Sequence, residues 1–145
     1  MEIERLSISN LEQLVSLVLE LWDDSVAKEE NEYYKGKIGS EHEVCYLGKE
    51  QGNYIAFLHV SSRNDYVEGA ADLPVAYVEA IYVKPDYQKQ GIAEKLMLSG
   101  ENWARQKGYR QLASDTDIAN AAALHFHKKN GFAEVGRIVC FIKDL

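Results

Sequence analysis

The chain has 145 residues, 46% of them hydrophobic, and two prolines, which suits one domain with a core of ordinary size. Its net charge of −7 lies in the first third: residues 1–50 hold 12 acidic and 5 basic side chains, and residues 51–145 hold 11 of each. The absence of a basic stripe argues against a nucleic-acid partner. No apolar run reaches the ~18–20 residues that span a bilayer, and the spacing of Cys45 and Cys140 suggests neither a zinc site nor a disulfide framework.

In chain order, residues 2–8 alternate charged or polar with apolar residues in the manner of a half-buried strand. The first residues also lack the basic-then-apolar layout of a signal peptide, so a cytoplasmic location is expected. Asn10 is placed to cap a helix whose stripe is Leu11, Leu14, Val15, Val18 and Trp22. The acidic stretch from Asp23 to Ser40 reads as a loop plus a short second helix. Its charge is either a solvated helical face or a lobe that draws in a polycation.

Strands are expected at Glu43–Lys49 and Tyr54–Val60 around a tight Gln51-Gly52-Asn53 turn, and again at Val75–Val83. Pro85-Asp86-Tyr87 is a turn, and Gln88 to Ala93 opens a long amphipathic helix through Ile92, Leu96, Ser99, Trp103 and Lys107, ended by Gly108. A short strand at Gln111–Asp115, a helix at Asn120–Asn130 stopped by Gly131, and strands at Phe132–Val135 and Ile138–Ile142 complete the pattern. The order β-α-α-β-β-β-α-β-α-β-β predicts an α/β (α+β) fold with one mostly antiparallel sheet and helices on its faces. With no repeat or linker, residues 1–145 read as a single domain.

The segment that carries chemistry runs from Glu79 to Leu96. A buried strand passes through Val83-Lys84-Pro85 into Gln88-Lys89-Gln90-Gly91-Ile92-Ala93 at a helix start. The first amides of a helix lack intrahelical partners and its dipole favours negative charge there. Gly91 allows close backbone approach and Ala93 keeps the first turn small, so the segment suits a pyrophosphate.

This layout resembles motif A of the GNAT superfamily of N-acetyltransferases. The resemblance implies a GNAT-like domain with about six or seven strands flanked by about four helices, and acetyl-coenzyme A as cosubstrate. The amides of Gln88, Lys89, Gln90, Gly91, Ile92 and Ala93 would hold the pyrophosphate. The backbone of Ile81, Tyr82 and Val83 would align the pantetheine like an added strand, and Asn120 would contact it. The Gly131-Phe132 pair matches the superfamily's helix end.

Trp22, the Arg63-Asn-Asp-Tyr66-Val-x-Gly69 segment, Pro74 to Glu79, and Ala113-Ser-Asp115-Thr116 are further similar to aminoglycoside 6′-N-acetyltransferases. In that family Trp22, Tyr66, Glu79 and Asp115 would line the aminoglycoside site, making the partner a small cationic amine. Carboxylates there replace the hydration an ammonium loses, and the aromatic faces suit sugar rings or a cation. Close members place a glutamate at position 136, where this chain has Gly136, and can carry a histidine at 25, where it has Ser25. Glu134, Asp23 and Asp24 are the nearby carboxylates that would compensate.

Each of these residues also has an ordinary reading: a structural salt bridge for Glu79, a turn cap for Asp115, a core position for Trp22. Glu79 and Asp115 are the candidates to accept the amine's proton, and His127 to protonate the departing thiolate, unless it is a satisfied, half-buried histidine. His125 and His127 are two apart on a helix and cannot chelate together, so no metal is expected. Cys45 and Cys140 read as inert core thiols. The expected reaction is direct attack of the amine in a ternary complex. Acetylation of a polyamine, amino sugar or peptide N-terminus, and a non-catalytic acyl-coenzyme A sensor, are the alternatives. The resemblance also implies a homodimer, with the Ile138–Ile142 strand as the candidate interface.

Overall fold

A computed structural model describes all 145 residues. The elements are β1 (Glu2–Arg5), α1 (Leu11–Leu21), α2 (Ala27–Lys35), β2 (Glu43–Glu50), β3 (Asn53–Arg63), β4 (Val75–Val83), α3 (Ile92–Gln106), β5 (Leu112–Ala113) and α4 (Ala121–Lys129), with a 3-10 turn at Pro85–Tyr87. The strands form one sheet in the order β1-β2-β3-β4-β5. Its first three pairings are antiparallel and β4 to β5 is parallel. No helix is long and apolar enough to cross a membrane.

The strand alternation sends side chains to two faces. On one, α1 buries Leu11, Leu14, Val15, Leu17 and Val18 against Leu47, Phe57 and Ala80, each worth roughly 1.5–3 kcal/mol of transfer free energy. On the other, Ile92, Leu96, Met97, Trp103 and Ala104 of α3 pack on Leu58, Val60, Ala76 and Val78. The contact is close because α3 carries Gly100, where a Cβ would lie 2.8 Å from Leu58 Cδ2 and 3.1 Å from Val60 Cγ2. That crossing fixes where the N-terminus of α3 meets the end of β4.

Several expectations change. The first strand stops at Arg5 rather than residue 8. Asn10 is the reason: it occupies the cap position of α1 without capping it. Its Oδ1 instead accepts from the Ser7 amide at 2.8 Å, and its Nδ2 donates to the Arg5 carbonyl at 3.1 Å, folding the chain into a turn. The sheet has five strands, not six or seven. The two missing ones are Phe132–Val135 and Ile138–Ile142, which make no ladder, and Ile138, Val139, Phe141 and Ile142 lie open to solvent. Alternation and apolar content mark a segment able to pair, but a strand also needs an edge to pair with. Cys140 is correspondingly exposed, while Cys45 is buried as expected.

Candidate active site

The parallel pairing of β4 with β5 covers only Ala76–Leu112 and Tyr77–Ala113. Beyond it the strands part, leaving the β5 side of Val78–Val83 without a strand. In the same stretch the register of β4 with β3 slips: Val60 faces Val78 and His59 faces Ala80. Glu79 is the extra residue of this bulge. Bulges re-aim side chains and end pairing, and they concentrate beside active sites.

The bulge delivers Glu79 into a polar network on the face that carries α1 and α2. Ser61 Oγ donates to Glu79 Oε1 at 2.7 Å; Arg63 Nε donates to the same oxygen at 2.8 Å and Nη2 to Oε2 at 2.7 Å. Burial opposes ionisation of Glu79, but the bonds from Arg63 and Ser61 and the Arg63 charge outweigh it and hold the carboxyl below its ordinary value. The Arg63 guanidinium stacks 3.6 Å from the centroid of the Tyr77 ring, and the Tyr77 hydroxyl donates to Asp115 Oδ2. Burial, and then Asp115 itself, push the Tyr77 hydroxyl up, so it remains a donor. Glu79 and Asp115 are thus joined through Arg63 and Tyr77.

Next to them, His59 is buried with Nε2 2.8 Å from Glu43 Oε1, and Lys37 Nζ lies 2.9 Å from Glu43 Oε2. Burial holds His59 below its usual value despite Glu43. A neutral imidazole donating to Glu43 fits both facts.

The turn after β4 meets the demands of an anion cradle. Lys89 and Gly91 have φ of 61° and 79°, and α3 begins at Ile92. No hydrogen-bond acceptor in the chain takes the backbone N–H of Lys89, Gln90, Gly91, Ile92, Ala93 or Glu94. Nothing lies within 4 Å of where a Gly91 Cβ would stand. Left-handed residues alternating along a run of free amides form a concave nest for phosphate oxygens. The Gln88 side chain is used differently: its Nε2 donates to the Val83 carbonyl at 3.0 Å and ties the loop to the strand end. These residues fit the pyrophosphate of a coenzyme A ester.

On α4, Asn120 caps the helix, its Oδ1 accepting from the Ala123 amide at 3.0 Å. His127 Nδ1 lies 2.7 Å from the Ala123 carbonyl and Nε2 lies 2.8 Å from Ser114 Oγ. A carbonyl only accepts, so Nδ1 carries the proton and Nε2 accepts from Ser114. His127 therefore stands behind Ser114, the neighbour of Asp115.

Two further residues expected at the site, Trp22 and Tyr66, are surface side chains. Trp22, at the end of α1, is 40% exposed, which sets it apart from the buried stripe it continues. Tyr66 is 78% exposed and its hydroxyl donates to Glu68 Oε2 at 2.5 Å. A Cβ at Gly136 would lie 3.1 Å from Glu68 Cγ and 3.5 Å from Oε1. The space opened by Gly136 is taken by Glu68, while Glu134 pairs with Arg137 at 2.8 Å.

Sequence reasoning missed Ser61, Tyr77, Glu68 and Ser114 as site residues, and gave Arg63 no role. The signal for three of them was present. Ser61 and Arg63, and Tyr77 and Glu79, are two apart on neighbouring strands, so each pair shares a face. Without the register, nothing brought the two pairs together.

A parted β4–β5 edge, an amide nest at the following helix and carboxylates flanking the gap define an acyl-coenzyme A-dependent transferase. The chain belongs to the acetyltransferase (GNAT) family, whose model matches residues 11–132. Within it the chain is similar to the aminoglycoside N(6′)-acetyltransferase type 1 of Serratia marcescens, at 35% identity over 94% of each chain. The crystal structure of AAC(6′)-Ih from Acinetobacter baumannii matches with a TM-score of 0.90 and 32% identity, over 99% of this chain and 98% of that one. AAC(6′)-Iy in complex with the bisubstrate analogue CoA-S-monomethyl-acetylneamine matches with a TM-score of 0.94 and 28% identity, over 99% and 98%.

Proposed function

We propose that this chain transfers the acetyl group of acetyl-coenzyme A to the 6′-amine of an aminoglycoside, by direct attack with both reactants bound. The observation that carries the reading is the pair Glu79 and Asp115, linked through Arg63 and Tyr77 where β4 leaves β5. The enzyme is an acyltransferase, and its aminoglycoside 6′-N-acetyltransferase relatives point to the substrate class. Acetyl-coenzyme A provides an activated acyl group. The free amides of Lys89 to Ala93 hold its pyrophosphate, while the Gln88 amide expected among them donates to the Pro85 carbonyl at 3.3 Å, and the free side of Ile81, Tyr82 and Val83 receives its pantetheine arm beside Asn120.

An alkylammonium titrates near ~10 and must lose a proton before it attacks. Asp115 has its Oδ1 free of any hydrogen bond and is exposed, so it takes that proton directly or through water. Glu79 holds the acceptor's charge. The backbone N–H of Val83, which faces away from β3, polarises the carbonyl. The leaving sulfur takes the second proton of the attacking nitrogen, and the Ser114–His127 pair lies beside Asp115. Trp22 and Tyr66 flank the sugar rings, and Glu68 supplies the charge that Gly136 lacks.

Residues 1–145 form one such domain, placed in the cytoplasm. It assembles as a homodimer, with the exposed apolar residues Ile138, Val139, Phe141 and Ile142 covered by the second copy. Sedimentation showing only monomer at working concentration would remove the dimer. For the catalytic reading, Asp115→Ala should lower turnover by at least ~100-fold, the ordinary size of a general-base effect, with acetyl-coenzyme A affinity kept within about twofold. Unchanged turnover would end the role of Asp115.

A further inference from the structure

Arg63 belongs to neither reactant site as the family resemblance draws them, yet it touches both halves of the carboxylate pair. Both Glu79 oxygens accept from its guanidinium, at 2.8 and 2.7 Å. The Cζ of the same guanidinium lies 3.6 Å from the centroid of the Tyr77 ring, whose hydroxyl holds Asp115. The Arg63 side chain is 41% exposed and that of Glu79 24%, so the cation sits at the mouth of the network rather than beneath it. Two carboxylates and one guanidinium leave a single net negative charge.

We propose that Arg63 is a positioning residue of the acceptor site, coupling Glu79 to Asp115 through the Tyr77 ring so that an acceptor amine meets a preset pair with one net negative charge. The inference rests on reading Glu79 and Asp115 as the acceptor carboxylates. It divides their labour. Each Glu79 oxygen is already engaged by a charge-assisted bond, which makes Glu79 a fixed anion and a poor proton acceptor. One proton leaves the ammonium nitrogen for Asp115 Oδ1; the nitrogen lone pair then forms the N–C bond, the C–S bond breaks, and the departing sulfur takes the second proton of that nitrogen.

Arginine is required by this geometry. A lysine ammonium can hold one carboxylate oxygen, but it has no planar fork to bond both oxygens while packing on a ring. Tyr77 passes the constraint on only while its hydroxyl reaches Asp115. Arg63 and Asp115 should therefore be energetically coupled without contact.

The test is a kinetic cycle of Arg63→Gln, Arg63→Lys, Tyr77→Phe and Arg63→Gln/Tyr77→Phe, with a 6′-amino aminoglycoside as acceptor. Calorimetric titration with coenzyme A shows that each variant is folded. Arg63→Gln should lower kcat at least about 10-fold while acetyl-coenzyme A affinity stays within about twofold. Arg63→Lys should recover part of the loss. The double variant should lose at least about fivefold less than the product of the single losses, the mark of residues acting in one chain. Independent effects of Arg63→Gln and Tyr77→Phe, or an unchanged kcat in Arg63→Gln, would overturn the proposal. If Glu79→Gln and Asp115→Ala themselves turn over normally, it is the acceptor-site reading that fails. If those two lose turnover and Arg63→Gln does not, the positioning role alone falls.

Discussion

Replacing Glu79 with glutamine changes almost no volume and removes one charge, which makes its effect calculable. Glu79 accepts three hydrogen bonds, from Ser61 and twice from Arg63. Glutamine keeps one acceptor oxygen and turns an NH2 toward a donor, so at least one charge-assisted bond is lost. Such bonds contribute ~1.5–3 kcal/mol where water is excluded. The Arg63 side chain is 41% exposed, and solvent recovers part of that loss, which brings the expected cost to about 1–2 kcal/mol. For a chain of this length the melting temperature should fall by roughly 3–8 °C at pH 7.

The pH dependence gives the sign. The folded protein holds the Glu79 carboxyl below its ordinary value of 4.5. Its stabilising contribution is complete above that value and is lost as pH falls through the folded one. The gap in melting temperature between the native protein and Glu79→Gln should therefore be largest near neutrality and close at acid pH. Calorimetry from neutral to about pH 3 measures it. Equal melting temperatures at pH 7, or a gap that persists in acid, would refute the claim that an ionised Glu79 is held by Arg63 and Ser61.

Gly91 has φ of 79° with open space around its missing Cβ, so Gly91→Val strains the backbone by ~1–2 kcal/mol and puts a side chain into the nest. Coenzyme A affinity should fall at least about tenfold by titration; unchanged affinity would remove the nest as the pyrophosphate site. Gly100→Val drives a branched side chain into Leu58 and Val60, both fully buried. It should cost about 2–3 kcal/mol by denaturant titration, and a neutral result would contradict the close crossing of α3 on β3. Burial pushes the Cys45 thiol up, so it should stay silent toward a thiol reagent until the chain unfolds; prompt labelling would contradict its place beneath α1 and α2.

The sequence made the long elements and the cofactor segment readable, because their signals are local. The β-branched run at Val75–Val83 and the helix through Ile92, Leu96 and Trp103 stand as expected, and Gly91, read as allowing close approach, has nothing within 4 Å of where its Cβ would stand. What stayed hidden depends on register or on a partner. The bulge at Glu79 exists only relative to β3. The link from Glu79 to Asp115 needs the β3–β4 register to set Ser61 and Arg63 against Tyr77 and Glu79, and the β4–β5 pairing to bring in Asp115 from 38 residues beyond Tyr77. Asn10 carried a capping signature, and its side chain found better partners behind it. The apolar alternation at Ile138–Ile142 records a surface suited to pairing, without an edge in its own chain to meet. Gly136 read as a lost carboxylate until Glu68 was found across from it.

The most direct measurement follows coenzyme A release with acetyl-coenzyme A and a panel of acceptors. The panel comprises aminoglycosides bearing a 6′-amine, aminoglycosides with a 6′-hydroxyl, spermidine and short peptides. Rapid release with the 6′-amino compounds alone, abolished in Asp115→Ala, is the predicted result. Release with spermidine or peptides and none with any aminoglycoside, or tight acetyl-coenzyme A binding with no release at all, would contradict it.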